Sequence, residues 1–372
     1  MNSRPHFILL GGFLGAGKTT AAARLARHLG DLGLRAALIT NDQGHRLVDT
    51  TLLAAGGHAT AEIAGGCFCC RFDELLGAAG RLRGGEPPDV FIAEAVGSCT
   101  DLLATVILPL RRLHGEQFTV APLSVLVDPG QARGMLGLDP ARRFSAEVAY
   151  LYRKQLEEAE IIVINKSDAE DAAVLDELRA RLAQAFPSAD AHTVSAREHR
   201  GLTPWFHDLL FKRPQPRPVM AVDYDRYAGG EARLGWFNAA VTLSAPGPFD
   251  PDAALWDVAA AVQRGLRERG AEVAHLKLTL EPAAGGGGGL AAVSLVRAGA
   301  TPRAGSLLGR PLRRGLMLVN LRAEGAPDRL AAAVLGVIGG TARWNVQVDH
   351  VESFSPGRPQ PTHRDTVYPV PR

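Results

Sequence analysis

The sequence is poor in lysine, in cysteine and in any excess charge, and each shortage narrows its chemistry. Of the 41 basic residues among 372, only Lys18, Lys154, Lys166, Lys212 and Lys277 are lysines. Basic and acidic residues nearly balance, 41 against 39, for a formal charge of +2. That leaves no field to draw nucleic acid or an anionic membrane, so neither is expected as a partner. No uncharged apolar run approaches the roughly 18 residues of a spanning helix. The opening MNSRPHFILLGG is apolar for only a few residues and carries no small-residue cleavage site, so no signal peptide is expected and the chain reads as cytoplasmic. Four cysteines are too few for a disulfide framework. Three of them, Cys67, Cys69 and Cys70, fall within four positions, which points to metal or thiol chemistry in a reducing compartment. With 46% hydrophobic and 22% charged residues, the chain can bury a full core, and its length fits two domains.

From the start to about residue 210, short apolar runs alternate with helix-length segments, the signature of a mostly parallel sheet covered on both faces. The strand candidates are HFILL, RAALIT, DVFIAEA, PLSVLVD, EIIVINK and AHTVSA. Each ends in a polar or glycine-bearing turn, where ligands bind in open parallel sheets. A first domain is therefore expected over 1–212, with a proline-rich extended linker at 213–218. Over 219–354, strands are expected at 236–244, 275–280, 290–297, 315–322 and 343–351, with helices at 252–269 and 327–338. The pattern fits a smaller α+β domain of ferredoxin-like type with room for an extra strand. The tail, 355–372, rich in Pro and Arg, is expected to be disordered.

The chemistry lies in the first domain. Gly12, Gly15, Ala16, Gly17, Lys18 and Thr19 belong to a GxxxxGKT match, with Thr20 directly after it, between an apolar strand and a helical segment, the context a phosphate-binding loop requires. Backbone N–H groups and the helix N-terminus would surround the phosphates, Lys18 would reach the β- and γ-phosphates, and Thr19 would ligate magnesium. Asn165-Lys166-Ser167-Asp168 ends a later strand as an NKxD base-recognition motif. Its carboxylate can accept from both guanine donors, whereas adenine has no N1 donor, so the expected nucleotide is GTP. Ser195 and Ala196 would add a further contact to the guanine. Glu94 and Gly97, in Glu-Ala-Val-Gly, are read as the acid that meets magnesium through water and the glycine that senses the γ-phosphate; Asp128 is the competing acid. Cys67, Cys69 and Cys70 form a CxCC array suited to zinc or copper(I) and short of a full tetrahedral set. The alternative reading of these three is as small buried hydrophobes. Cys99 is read as a packing residue.

Together GGFLGAGKTT, NDQG, EIAGGCFCC, EAVG and NKSD resemble, in order and spacing across roughly the first 200 residues, the CobW-like family of P-loop GTPases, proposed metallochaperones. The resemblance implies a P-loop GTPase domain followed by a CobW-type C-terminal domain. It also implies slow GTP hydrolysis coupled to delivery or sensing of zinc or cobalt for a client metalloprotein. It further implies a metal held by the CxCC thiols with help from the segment after the second strand. Here that segment places Asp42 and His45, the latter where relatives usually have a second Glu. The competing readings are a regulatory or protein-assembly GTPase with structural cysteines, and an ATP-using enzyme of cobalamin assembly. No residue stands out as a water-orienting Gln or a cis arginine finger, so slow intrinsic turnover is expected.

Overall fold

A computed structural model describes residues 4–42, 57–84, 86–139, 144–283, 288–340 and 343–368. These residues divide into two compact units, one from 4–42, 57–228 and 358–368 and the other from 229–357.

The first unit is a parallel sheet. Its strands are β1 (His6–Gly12), β2 (Ala36–Asp42), β3 (Ala59–Ala64), β4 (Val90–Glu94), the two-residue β5 (Thr119–Val120), β6 (Ser124–Val127), β7 (Ile161–Ile164) and β8 (Asp190–Thr193). They run in the order β3-β2-β4-β1-β6-β7-β8, with β5 beside β1, and the pairs are parallel. Phe7, Ile8, Leu9 and Leu10 of β1 are wholly buried, as a central strand covered on both faces must be. The chain leaves β1 for β2 and β3 on one side, returns to place β4 between β1 and β2, then crosses to the other side with β6, β7 and β8. The order therefore reverses at β1, which opens a crevice at its carboxyl end. The helix Lys18–Asp31 starts in that crevice; its apolar face, Ala21, Ala22, Leu25, Ala26 and Leu29, is buried, the 3.6-residue period of an amphipathic helix.

The second unit is an antiparallel sheet of β9 (Leu234–Phe249), β10 (Glu272–Pro282), β11 (Ala291–Leu295), β12 (Arg303–Ser306), β13 (Leu312–Glu324) and β14 (Asn345–Phe354), in the order β12-β11-β10-β13-β9-β14. The helices Pro251–Glu268 and Pro327–Gly339 follow β9 and β13. Alternate residues of the strands (Phe237, Ala239, Val241; Leu276, Leu278, Leu280; Met317, Val319, Leu321) meet Leu255, Val258, Val262 and Val334 of the helices in one apolar core. The four strands β10-β13-β9-β14 with their two helices form the expected ferredoxin-like βαββαβ unit. The addition is two strands, β11 and β12, on the β10 edge. No helix among the described residues is long and apolar enough to cross a membrane.

Two sequence expectations need correction. The proline-rich stretch 213–218 is extended but not free: Arg217 donates to the carbonyls of Glu157 and Ala159, and the division between units falls after residue 228. The tail is not disordered over its described length. The N–H of Thr362 donates to the Cys69 carbonyl at 2.8 Å and that of Asp365 to Ala104 at 2.8 Å. Arg364 pairs with Asp101 at 2.7 Å, Arg112 grips Asp365 through two bonds of 2.9 Å, and Tyr368 bonds Glu160 and Arg111. A composition of Pro and Arg reads as solvated chain when no partner is in view. Here the arginines meet acids of the first unit, and proline reduces the entropy lost on docking.

Candidate nucleotide and metal sites

The phosphate loop is built by close approach. Gly17 caps the helix Lys18–Asp31 in the left-handed region, φ 92°, with no side chain on the helix N-terminus. A Cβ there would stand 2.4 Å from Asn165 Nδ2. Lys18 is buried and its ammonium donates to the carbonyls of Gly12 at 2.8 Å and Phe13 at 3.4 Å, which holds it across the mouth of the loop. Gln131 Nε2 supports the loop from outside, at 2.9 Å from the Leu14 carbonyl. Gly15 and Ala16 complete the turn, and Thr20 is exposed on the helix that follows.

Thr19 and Glu94, 75 residues apart, meet: the hydroxyl donates to Glu94 Oε1 at 3.0 Å, both side chains buried. The competing acid, Asp128, is engaged otherwise. One of its oxygens caps the helix Pro129–Met135 through the Gln131 N–H at 2.9 Å, and the other takes Lys166 Nζ at 3.0 Å. Gly97, three residues after Glu94, lies so near the phosphate loop that a Cβ would come within 2.9 Å of Leu14 N and Cα.

The NKSD residues gather at the carboxyl end of β7. Asn165 is a buried clamp: Nδ2 donates to the Ala16 carbonyl at 2.9 Å, and Oδ1 accepts from Ala196 N–H at 3.0 Å. Lys166 sits in the left-handed region, φ 57°, and its ammonium also donates to the Gly15 carbonyl. Ser195 Oγ donates to Asp168 Oδ1 at 2.6 Å. The Ala196 amide, expected to face a base, is thus engaged by Asn165.

Cys67, Cys69 and Cys70 follow β3. Their sulfurs stand 2.8 Å (67 to 69), 3.2 Å (67 to 70) and 3.7 Å (69 to 70) apart, with Cys67 and Cys69 buried and Cys70 half-buried. Bonds from its neighbours hold the Cys67 thiol well below its ordinary pKa, while sharing with Cys67 raises Cys69 and pushes Cys70 up to about 11. A set of soft donors that must lose protons to bind suits a soft or borderline ion. Among the described residues these three are the group of His, Cys, Asp or Glu side chains placed to hold an ion. His45 lies outside the described residues, as does the side chain of Asp42.

Three supports were invisible to motif reading. Asn41, at the end of β2, donates to the carbonyls of Ile63 at 3.0 Å and Gly66 at 2.6 Å and accepts from Phe68 N–H at 2.9 Å. It ties the thiol loop to the strand. Arg24 Nε donates to the Ala196 carbonyl at 3.0 Å, and the tail's Gln360 N–H donates to Cys70 Sγ at 3.2 Å. Asn41 opens the NDQG segment, but nothing in that segment announces the tie; the other two have no signal.

A glycine-rich turn between strand and helix, a hydroxyl–carboxylate pair below it and an NKxD clamp beside it define a P-loop nucleotide-binding domain. The chain belongs to the CobW/HypB/UreG family: its nucleotide-binding domain matches residues 6–193, just over half of the chain. Similar curated proteins are the zinc chaperone YeiR of Escherichia coli (32% identical over 163 residues, 43% of this chain and 46% of that protein) and the zinc chaperone CobW of Pseudomonas aeruginosa (28% over 210 residues, 48% and 53%). The chain spans about half the length of these relatives. Similar solved structures include the Zn(II)-bound YjiA GTPase from E. coli, at 17% identity, covering 90% of this chain and 99% of that one with a TM-score of 0.40. HypB from Helicobacter pylori in complex with nickel is 18% identical and covers 56% and 86% with a TM-score of 0.41.

Proposed function

We propose that this protein is a GTP-binding and GTP-hydrolysing metallochaperone. It would take a transition ion, zinc or cobalt, onto Cys67, Cys69 and Cys70 and couple its transfer to a client metalloprotein to GTP hydrolysis. The observation that carries this reading is the gathering of the Cys67, Cys69 and Cys70 sulfurs within 2.8 to 3.7 Å of one another, in the same unit as the phosphate loop.

Lys18 would exchange its bonds to Gly12 and Phe13 for the β- and γ-phosphates and stabilise charge there as the terminal bond breaks. Thr19 and Glu94 are a fitting pair for magnesium, a hydroxyl and a carboxylate converging as hard oxygen donors. Magnesium, when bound, would neutralise charge between the β- and γ-phosphates. Glu94 would act on it through water, and Gly97 would offer its N–H to the γ-phosphate. Asn165 positions the loop against the base site, Lys166 covers it, and Asp168, fixed by Ser195, would accept from guanine. Zinc is the favoured cargo because the similar curated proteins are zinc chaperones.

The test is nucleotide choice together with metal content. Wild type should bind GTP far more tightly than ATP, and Asp168→Asn should lose on the order of 10²-fold or more in GTP affinity, since one acceptor becomes a donor facing a donor. Elemental analysis of reduced protein should find about one zinc or cobalt per chain, lost when the three thiols become Ser. ATP bound as tightly as GTP would defeat the first part, and metal retained without the thiols the second.

A further inference from the structure

The chain has four cysteines; three form one cluster, and the fourth, Cys99, stands beside two of them. Cys99 lies in the loop after β4, while Cys67, Cys69 and Cys70 lie in the loop after β3. With β2 alone between those strands, both loops emerge at the same carboxyl end of the sheet. The Cys99 side chain is buried, 1% exposed, and its thiol interacts with those of both Cys67 and Cys69. Its backbone is pinned: Cys99 N–H donates to the Val96 carbonyl at 3.0 Å. Gln155 Nε2 donates to the carbonyls of Cys99 at 2.8 Å and Gly97 at 2.9 Å. A small packing residue would need only apolar neighbours, not a place beside two other thiols.

Building on the metallochaperone reading, we infer that Cys99 is the fourth ligand, so that the cargo ion sits among four sulfurs. The four-sulfur set is the one that favours tetrahedral zinc or cobalt(II). A tetrahedron with bonds of about 2.3 Å has edges of about 3.8 Å. The separations of 2.8, 3.2 and 3.7 Å among Cys67, Cys69 and Cys70 need to open by an ångström or less to reach it, and Cys99, outside that group of three, has to close on Cys70. Each sulfur gives its proton to solvent as its bond to the ion forms, and no electron changes hands. The Gln360 N–H on Cys70 Sγ then becomes a bond to a charged thiolate, of the kind that supports metal-bound sulfur. The site thus takes three ligands from one loop and one from the loop that carries Glu94 and Gly97.

The test is the sulfur count at the ion. Full-length reduced protein is loaded with zinc and studied by X-ray absorption at the metal edge, and with cobalt(II) for its sulfur-to-metal charge-transfer absorption. Wild type should show four sulfurs. Cys99→Ser should show three sulfurs and one lighter ligand, with zinc affinity reduced tenfold or more in competition with a chromophoric chelator. Three sulfurs in wild type overturn the inference whether or not the variant folds, as does a sulfur count unchanged by Cys99→Ser. Those results leave the metallochaperone reading intact. Wild type that binds neither metal overturns both.

Discussion

Removing the Arg364 guanidinium should unfasten the tail from the first unit and cost stability in a pH-dependent way. Asp101, whose side chain is 1% exposed, pairs with Arg364, itself 28% exposed, at 2.7 Å and accepts from the Tyr224 hydroxyl at 2.7 Å. Breaking a buried pair by deleting one partner costs about 3–5 kcal/mol. Because Arg364 is partly solvated and the Tyr224 bond survives, Arg364→Ala should cost about 2–3 kcal/mol. For a unit of this size that is a fall in Tm of roughly 5–10 °C. Burial already raises the Asp101 pKa, with Arg364, Tyr224 and Lys154 opposing it, and Glu158 is a further buried acid nearby. A carboxyl raised on folding contributes stability that is present below its unfolded pKa and lost as pH rises through the folded value. Loss of Arg364 raises Asp101 further, so the deficit of the variant should be largest at pH 7 and shrink as pH falls toward 4. Asp101→Asn in the Arg364→Ala background should restore most of the loss, since Asn tolerates the left-handed backbone at this position, φ 68°. The assays are thermal and urea denaturation between pH 4 and 8, with alkylation of Cys70 as a readout of the tail. A double variant no more stable than Arg364→Ala, or a deficit that grows as pH falls, would refute the reasoning.

Lys18→Ala should abolish GTP hydrolysis, while Glu94→Gln should spare much of the nucleotide binding and slow the chemical step, both read by phosphate release. Wild-type turnover should stay well below about 1 per second without a partner protein, and a faster intrinsic rate would contradict the assignment of these residues as the whole machinery. Gly97→Ala should push its loop off Leu14 at a cost of about 1–3 kcal/mol, lowering kcat more than GTP affinity. Zinc affinity measured with GDP and with a non-hydrolysable GTP analogue should differ by about tenfold, or about 1.4 kcal/mol, and by linkage zinc should shift GTP-analogue affinity by the same factor; equal affinities would separate the two chemistries.

The candidate nucleotide site is legible because its motifs are local. A phosphate loop needs glycine, Lys18 and Thr19 in consecutive positions after an apolar strand, and β1 supplies that strand; NKSD likewise sits directly on the end of β7. The ferredoxin-like unit was legible because β9, β10 and β13 are long and carry apolar residues at every second position, such as Phe237, Ala239 and Val241. What could not be read were contacts between distant segments. β3, with the sequence ATAEIA and mostly half-buried residues, is an edge strand with too little apolar alternation to announce itself, and it is the strand that delivers the thiols. The clamp by Asn41 across 22 to 27 residues and the docking of the tail across more than 250 residues depend on which surfaces fold back together.

These connections also decide where nucleotide control of a metal could act. Asn41 bonds Ile63, Gly66 and Phe68, so the thiol loop is tied to the end of β2, and Cys67, Cys69 and Cys70 all belong to that one loop. Cys99 is different, because it lies two residues beyond Gly97, on the loop that presses against Leu14 of the phosphate loop. A γ-phosphate that drew the Gly97 N–H toward itself would move Cys99 relative to that triad and change the number of sulfurs on the ion from four to three or back. Loss of one ligand is ample to supply the roughly tenfold change in affinity that coupling requires. In such an arrangement three ligands would hold the cargo while the fourth would report the state of the nucleotide.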